Sequence, residues 1–157
     1  MGRIDYLHDP DAPAANSVVP SVVAFVQDAR GRVLMIQRSD NGRWALPGGG
    51  HDVGESISDT VVREVWEETG IKAEVLDVSG IYTDPGHVMA YDDGEVRQQF
   101  SICFRARPIG GDLRTSDETT QVRWVALTDL VDFDVHPTMR LRIEHAVDHS
   151  RNAPYVG

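Results

Sequence analysis

Between two apolar, β-branched segments the sequence places three consecutive glycines, Gly48 to Gly50, and then GESISDTVVREVWEETGI, a segment punctuated at both ends. Pro47 forbids a helix immediately before it, and the glycines free the backbone after it. The pattern predicts a helix over Ser56 to Thr69. Ser56 supplies the cap, Asp59 three residues on makes a short-armed capping box, and Gly70 suits the first position past the end. Valines at 61, 62 and 65 weaken the intrinsic helical preference, so packing must hold this helix in place. Such a helix needs a sheet beside it.

The flanking sequence supplies the strands. VVPSVVAFVQD predicts a strand from about Val18, VLMIQR a second, and WALPGGG an extended entry to the glycines. IKAEVLDVSGIYTD reads as a long strand. VMAYDDGEVRQQFSICFRARPI reads as a hairpin about Asp93-Gly94 that continues into a strand through Cys103. QVRWVAL, Gln121 to Leu127, is a further strand. HPTMRLRIEHAVDHS closes the pattern as a helix with Pro137 in its first turn and Leu141, Ile143, His145 and Ala146 around its apolar face. Strands with two principal helices predict an α/β fold with a mixed sheet. Residues 1–17 lack periodicity and are expected to be an arm, with residues 18–157 a single domain. A chain of 157 residues with 41% hydrophobic content suits one substantial core.

Charge narrows the partners. Fifteen basic against 25 acidic residues give a formal net charge of −10, a field that repels polynucleotide phosphate, so no nucleic-acid polymer is expected as partner. A small phosphorylated substrate needs a local inversion of sign, which divalent cations supply. No apolar run suits a membrane span and the first residues lack a signal-peptide pattern. Cys103, the single cysteine, has no internal partner. It is expected to lie in the core of a protein of the reducing cytoplasm.

Glu64, Glu67 and Glu68 stand at i, i+3 and i+4 and share one helix face. Like charges so placed destabilise a helix by roughly 0.2–0.5 kcal/mol per pair. Arg63 can pair with Glu67, but one arginine cannot neutralise three carboxylates. Hard oxygen donors on a rigid element suit Mg²⁺ or Mn²⁺. The glycine segment ahead of them lets backbone approach a metal-bound diphosphate, and it is not a P-loop because no Gly-Lys-Ser/Thr follows.

The full spacing runs Gly49, five residues, Glu55, seven residues, Arg63-Glu64, Val65, one residue, Glu67-Glu68, one residue, Gly70, Ile71. It resembles the Nudix box at every signature position, and the wider similarity spans roughly Val18 to Leu130. The resemblance implies the Nudix fold, an α/β/α sandwich with a mixed β-sheet, and Mg²⁺-dependent hydrolysis of a nucleoside diphosphate linked to another group. Nucleotide sugars such as ADP-ribose come first as substrate, and MutT-like cleavage of oxidised nucleoside triphosphates second. By the same resemblance Gly49, Glu64, Glu67 and Glu68 are metal ligands, with Glu55 supporting the metal site. Glu67 also orients or deprotonates water, and Arg63 fixes Glu67 by an ion pair. A homodimer is compatible with the resemblance. The reading from another class is a non-catalytic nucleotide sensor with a degenerate box. Degenerate copies lose carboxylates, and none is missing here.

Outside the box, Glu118 is weighed evenly between a metal-site or base role and a solvated loop carboxylate. Arg38 and Gly48 are candidate phosphate contacts, and Trp44 is read as packing. His87 is a candidate substrate contact, although a lone loop histidine is usually solvated. Arg97 and Gln99 share a strand face, opposite Gln98, and are candidates for holding a base or sugar. His136 is read as a helix-entry residue, and Met139, Leu141 and Ile143 as core.

Overall fold

The computed structural model describes residues 2–157. The strands in chain order are β1 (Arg3–Leu7), β2 (Ser17–Val18), β3 (Ser21–Val26), β4 (Val33–Arg38), β5 (Trp44–Ala45), β6 (Gly48–Gly50), β7 (Ile71–Tyr82), β8 (His87–Tyr91), β9 (Val96–Gln98), β10 (Ser101–Gly111), β11 (Thr119–Val125) and β12 (Tyr155–Val156). Helix α1 (Ile57–Thr69) follows β6, and α2 (Pro137–Val147) follows a 3₁₀ segment over Leu127–Asp132.

The central sheet has the order β12-β7-β10-β3-β6. It is mixed: β10 runs parallel to β3 and antiparallel to β7. The β3 sequence explains the layers on either side. Side chains alternate along a strand, and Val22, Ala24 and Val26 join one core cluster while Val23 and Phe25 join another. The first cluster contains Val61 and Val65 of α1. The second contains Ile143 and Ala146 of α2. Each helix therefore covers one face, which is the expected α/β/α sandwich. Two of the three valines that weaken α1 are compensated by burial: Val61 and Val65 are 1% and 0% exposed, while Val62 faces solvent. No helix among the described residues is long and apolar enough to cross a membrane.

Local signals hold at α1. The Asp59 amide donates to Ser56 Oγ at 3.2 Å and the Ser56 amide donates to Asp59 Oδ2 at 3.3 Å, completing the capping box. Gly70 takes φ 75°, the left-handed conformation a side chain resists. The hairpin turns at Gly94 between β8 and β9 as expected. Cys103 is fully buried. His136 caps α2, accepting the Thr138 amide on Nδ1 at 3.2 Å.

Three differences bear on the site. Residues 3–7, read as part of an aperiodic arm, form β1, which pairs antiparallel with β8 from Arg3↔Tyr91 to Leu7↔His87. Pro20 divides the first apolar segment, so Val18 belongs to β2 and the long strand begins at Ser21. On α2 the expected apolar face is rotated: Leu141 is 39% exposed, whereas Arg142 is 2% exposed. Met139, Arg142, Ile143 and Ala146 follow the i, i+3, i+4, i+7 stripe, so helical geometry places the arginine inside and Leu141 off the stripe.

Candidate active site

The pairing of β6 with β3 sets the glycine segment against Val22 and Val23. A Cβ on Gly48 would lie 2.0 Å from the Val22 carbonyl oxygen, so only glycine lets the two backbones come this close. A Cβ on Gly49 would lie 2.5 Å from the Glu64 carboxylate, so the bare Cα leaves space that this carboxylate fills. Gly49 and Glu64, which the resemblance implies at one metal site, are close-packed.

Arg63 organises the helix side. Its Nη2 donates to Glu55 Oε2 at 3.0 Å, and its Nη1 donates to Glu64 Oε1 at 3.0 Å and to Glu67 Oε2 at 3.2 Å. Thr60 Oγ1 donates to the same Glu55 carboxylate at 2.8 Å. The Arg63 fork, with help from Thr60, holds the Glu55 carboxyl down at about 2. Glu55 thus acts on Arg63 from the loop, and Arg63 braces two of the box glutamates.

The other box carboxylates are under stress. Glu64 is pushed upward chiefly by burial, against the pull of Arg63. Glu68 is 5% exposed, and burial together with the Glu64 and Glu118 charges drives its carboxyl well above the usual carboxylate range. The Gly48 amide, donating to Glu68 Oε2 at 3.3 Å, opposes this only in part. Glu67 is the outlying member, with a side chain 56% exposed.

Glu64, Glu67, Glu68, Ser116, Asp117 and Glu118 line one open groove of about 200 Å³. The sequence left Glu118 undecided; the fold sets it beside the box, because the turn before β11 crosses the last turn of α1. Thr119 Oγ1 donates to the Glu68 carbonyl at 3.2 Å to fix that crossing. Among the described residues no three His, Cys, Asp or Glu side chains are arranged to hold a metal ion by themselves. An open acidic groove with a buried, uncompensated carboxylate fits a hard divalent cation that takes its remaining oxygens from water and substrate phosphate. The donor set and the Gly49–Glu64 packing both fit such an ion.

Glu68, Asp117 and Glu118 also line a second, larger cavity of about 500 Å³, within the size range of small-molecule sites. Gly48, Gly49, Arg38, His87, Arg97 and Gln99, all candidates from the sequence, line it too. Arg38 is held by Asp40, donating from Nε at 2.9 Å and Nη2 at 2.6 Å. Arg97 donates from Nε to Glu95 at 2.7 Å and lies over the Tyr91 ring. Trp44 packs edge-on against Phe133 with ring centroids 4.9 Å apart, the packing role expected of it.

His87 departs from expectation. It begins β8 rather than sitting solvated in a loop, is 6% exposed and stacks on His136 with ring centroids 5.5 Å apart. Burial lowers its imidazole to about 4. Among the cavity residues that sequence reasoning missed are Arg3, Asp5 and Arg142. The α2 stripe carried a signal for Arg142. Nothing local marked Asp5, whose place depends on the pairing of β1 with β8.

A family model of the NUDIX domain matches residues 18–146. A MutT-like protein of Streptomyces ambofaciens is 37% identical over 146 residues, covering 91% of this chain and 86% of that protein. An ADP-ribose pyrophosphatase of Methanocaldococcus jannaschii is 35% identical over 107 residues, covering 63% of this chain and 57% of that protein. The crystal structure of a MutT protein from Methanosarcina mazei superposes with TM-score 0.66 at 28% identity, covering 87% of this chain and 98% of that one.

Proposed function

This chain belongs to the NUDIX family and is a hydrolase of pyrophosphate bonds, and from that premise we propose that it cleaves a nucleoside diphosphate linked to a sugar, ADP-ribose first, with Mg²⁺ as its cation. The observation that carries this reading is the shared wall of groove and cavity at Glu68, Asp117 and Glu118. A substrate lying in the cavity meets the acidic groove there. The match to an ADP-ribose pyrophosphatase favours the nucleotide sugar. The MutT-like relative supports a second reading, a nucleoside triphosphate cleaved to its monophosphate.

In this proposal Glu64, Glu67 and Glu68 hold the cation, with Gly49 and Glu118 beside them. When bound, Mg²⁺ neutralises the diphosphate oxygens and acidifies water at the site. Glu67, the most exposed carboxylate of the three box glutamates, orients water and takes its proton as the oxygen attacks phosphorus. The bridging P–O bond breaks, and both products leave as phosphate esters. Arg63 holds Glu64 and Glu67 at fixed spacing, and Glu55 keeps Arg63 in place. Arg38, Arg97, Gln99 and His87 border the remainder of the substrate.

The test is release of nucleoside monophosphate from a panel of nucleotide sugars and nucleoside triphosphates, with Mg²⁺, with Mn²⁺ and with chelator. Hydrolysis in ¹⁸O-labelled water identifies the phosphorus attacked. Turnover that needs the divalent ion is the expected result; no turnover of any panel member at micromolar enzyme sinks the proposal. Glu67→Gln is expected to retain the fold and lose at least ~10²-fold in kcat, the scale of lost acid–base assistance. Activity near that of the unaltered protein would remove Glu67 from this role.

A further inference from the structure

Four buried side-chain nitrogens and oxygens have no hydrogen-bond partner among the described residues: Arg3 Nε, Asp5 Oδ1, His87 Nε2 and Arg142 Nε. All four belong to residues lining the larger cavity. Buried polar atoms are nearly always paired, so four orphans around one cavity describe something the cavity is built to receive.

Arg142 is the most demanding of them. It is 2% exposed, its guanidinium lies 4.7 Å from the centroid of the Tyr82 ring, and no carboxylate among the described residues forms an ion pair with it. A buried cation without an acid partner is costly, and a ring face compensates only in part. Asp5 is half satisfied: Arg3 Nη2 donates to its Oδ2 at 3.2 Å, while Oδ1 stands 3.9 Å from His87 Nε2. That separation is too long for a hydrogen bond, so both atoms are left unpaired.

The chemistry of the missing group follows from what is left unpaired. An oxyanion would satisfy Arg142 and Arg3 but would face the free oxygen of Asp5. An apolar group would satisfy none of them. A hydroxyl both donates and accepts. It gives its proton to Asp5, and its two lone pairs accept from a guanidinium and from His87 when Nε2 carries the ring proton. The adjacent hydroxyls of a sugar supply two such groups at fixed spacing.

Resting on the nucleotide-sugar reading above, we propose that Asp5, His87 and Arg142 form the subsite for the hydroxyl-bearing sugar, and that they select nucleotide sugars over nucleotides lacking one. Asp5 accepts from a hydroxyl, and Arg142 donates to a hydroxyl oxygen. Strand β1 brings Asp5 beside β8, and the α2 stripe brings Arg142 to the same cavity.

The experiment compares Asp5→Asn and Arg142→Lys with the unaltered protein on two substrates sharing one diphosphate: ADP-ribose, and ADP esterified on its β-phosphate by methyl. Asp5→Asn is nearly isosteric and keeps the fold testable if Arg142→Lys fails to fold. The expected result is a KM for ADP-ribose raised tenfold or more, the size of a lost hydrogen bond to a charged group. Its kcat should stay within a few-fold, and the methyl ester should be cleaved as before. Equal losses on both substrates, or no loss on ADP-ribose, overturn the subsite. So does a change of base preference among triphosphates without a change on ADP-ribose, which would place a nucleobase there. Calorimetric titration of ADP-ribose and ADP into Glu67→Gln, with and without Asp5→Asn, reads the same preference without turnover. If the unaltered protein hydrolyses nothing, the hydrolase proposal fails, and the titration alone still decides the subsite.

Discussion

Gly48 and Gly49 are neighbours, yet a methyl group at each meets a different obstacle. At Gly48 it meets the backbone of β3, which cannot yield without disturbing the sheet. Gly48→Ala is therefore expected to lower stability by about 1–3 kcal/mol, the cost of overpacking, read by denaturant titration. At Gly49 it meets the end of the Glu64 side chain, which can swing away. Gly49→Ala should leave the melting temperature near that of the unaltered protein while hydrolysis falls at least ~10-fold; the reverse pattern would show that Gly49 serves the sheet and not Glu64. His87 gives a residue-scale test in pH. Its imidazole sits at about 4 in the folded chain against the ordinary 6.5, because burial disfavours the charged form. Above 6.5 it is neutral in both states. As pH falls from 6.5 to about 4 the unfolded chain takes up a proton that the folded chain refuses, so stability declines through that window and the loss levels off below it. The loss from this one group is on the order of 3 kcal/mol. His87→Gln should show a shallower decline between these pH values, and an unchanged slope would contradict the assignment.

Element by element, what could be read from the sequence was what nearby residues decide. The capping box of Ser56 and Asp59, the left-handed Gly70 and the turn at Gly94 each depend on residues a few positions apart, and each formed as expected. Ser56→Ala should cost about 1 kcal/mol, measured as a lower midpoint in thermal or urea unfolding. A change within error would mean that packing of Val61 and Val65 alone holds α1. Strand β1 was not legible, because its partners on β8 lie eighty or more positions along the chain and residues 3–7 lack a repeating pattern. Arg142 was legible in principle. Reading Leu141 as core placed the helix face wrongly, and the hydrophobicity of one residue outweighed the spacing of four. Within the candidate site the box could be read because its residues fall in one stretch. Glu118 needed the turn before β11 to cross α1 to find its place, and the roles of all these residues stay with the experiments above.

Across the whole molecule the formal charge of −10 is unevenly used. Five acidic side chains share one small groove, and Glu68 within it lacks a cationic partner close enough to offset its burial. Divalent cations should therefore stabilise the fold beyond general screening. For a site of about 1 mM affinity, about 10 mM Mg²⁺ adds roughly 1.4 kcal/mol. Melting curves with Mg²⁺ against NaCl of matched ionic strength check this, and equal midpoints would argue against a specific ion site. The cavity itself is divided in its origins. One end is written mostly in the stretch from Gly48 to Glu68, joined by Asp117 and Glu118; the other is gathered from β1, from the start of β8 and from α2, segments that meet only in three dimensions. Errors and innovations therefore fall on the two ends differently. A substitution in the scattered segments can alter what enters the cavity and leave the acidic groove intact, so descendants of such a chain can exchange one cargo for another while inheriting the same cutting edge.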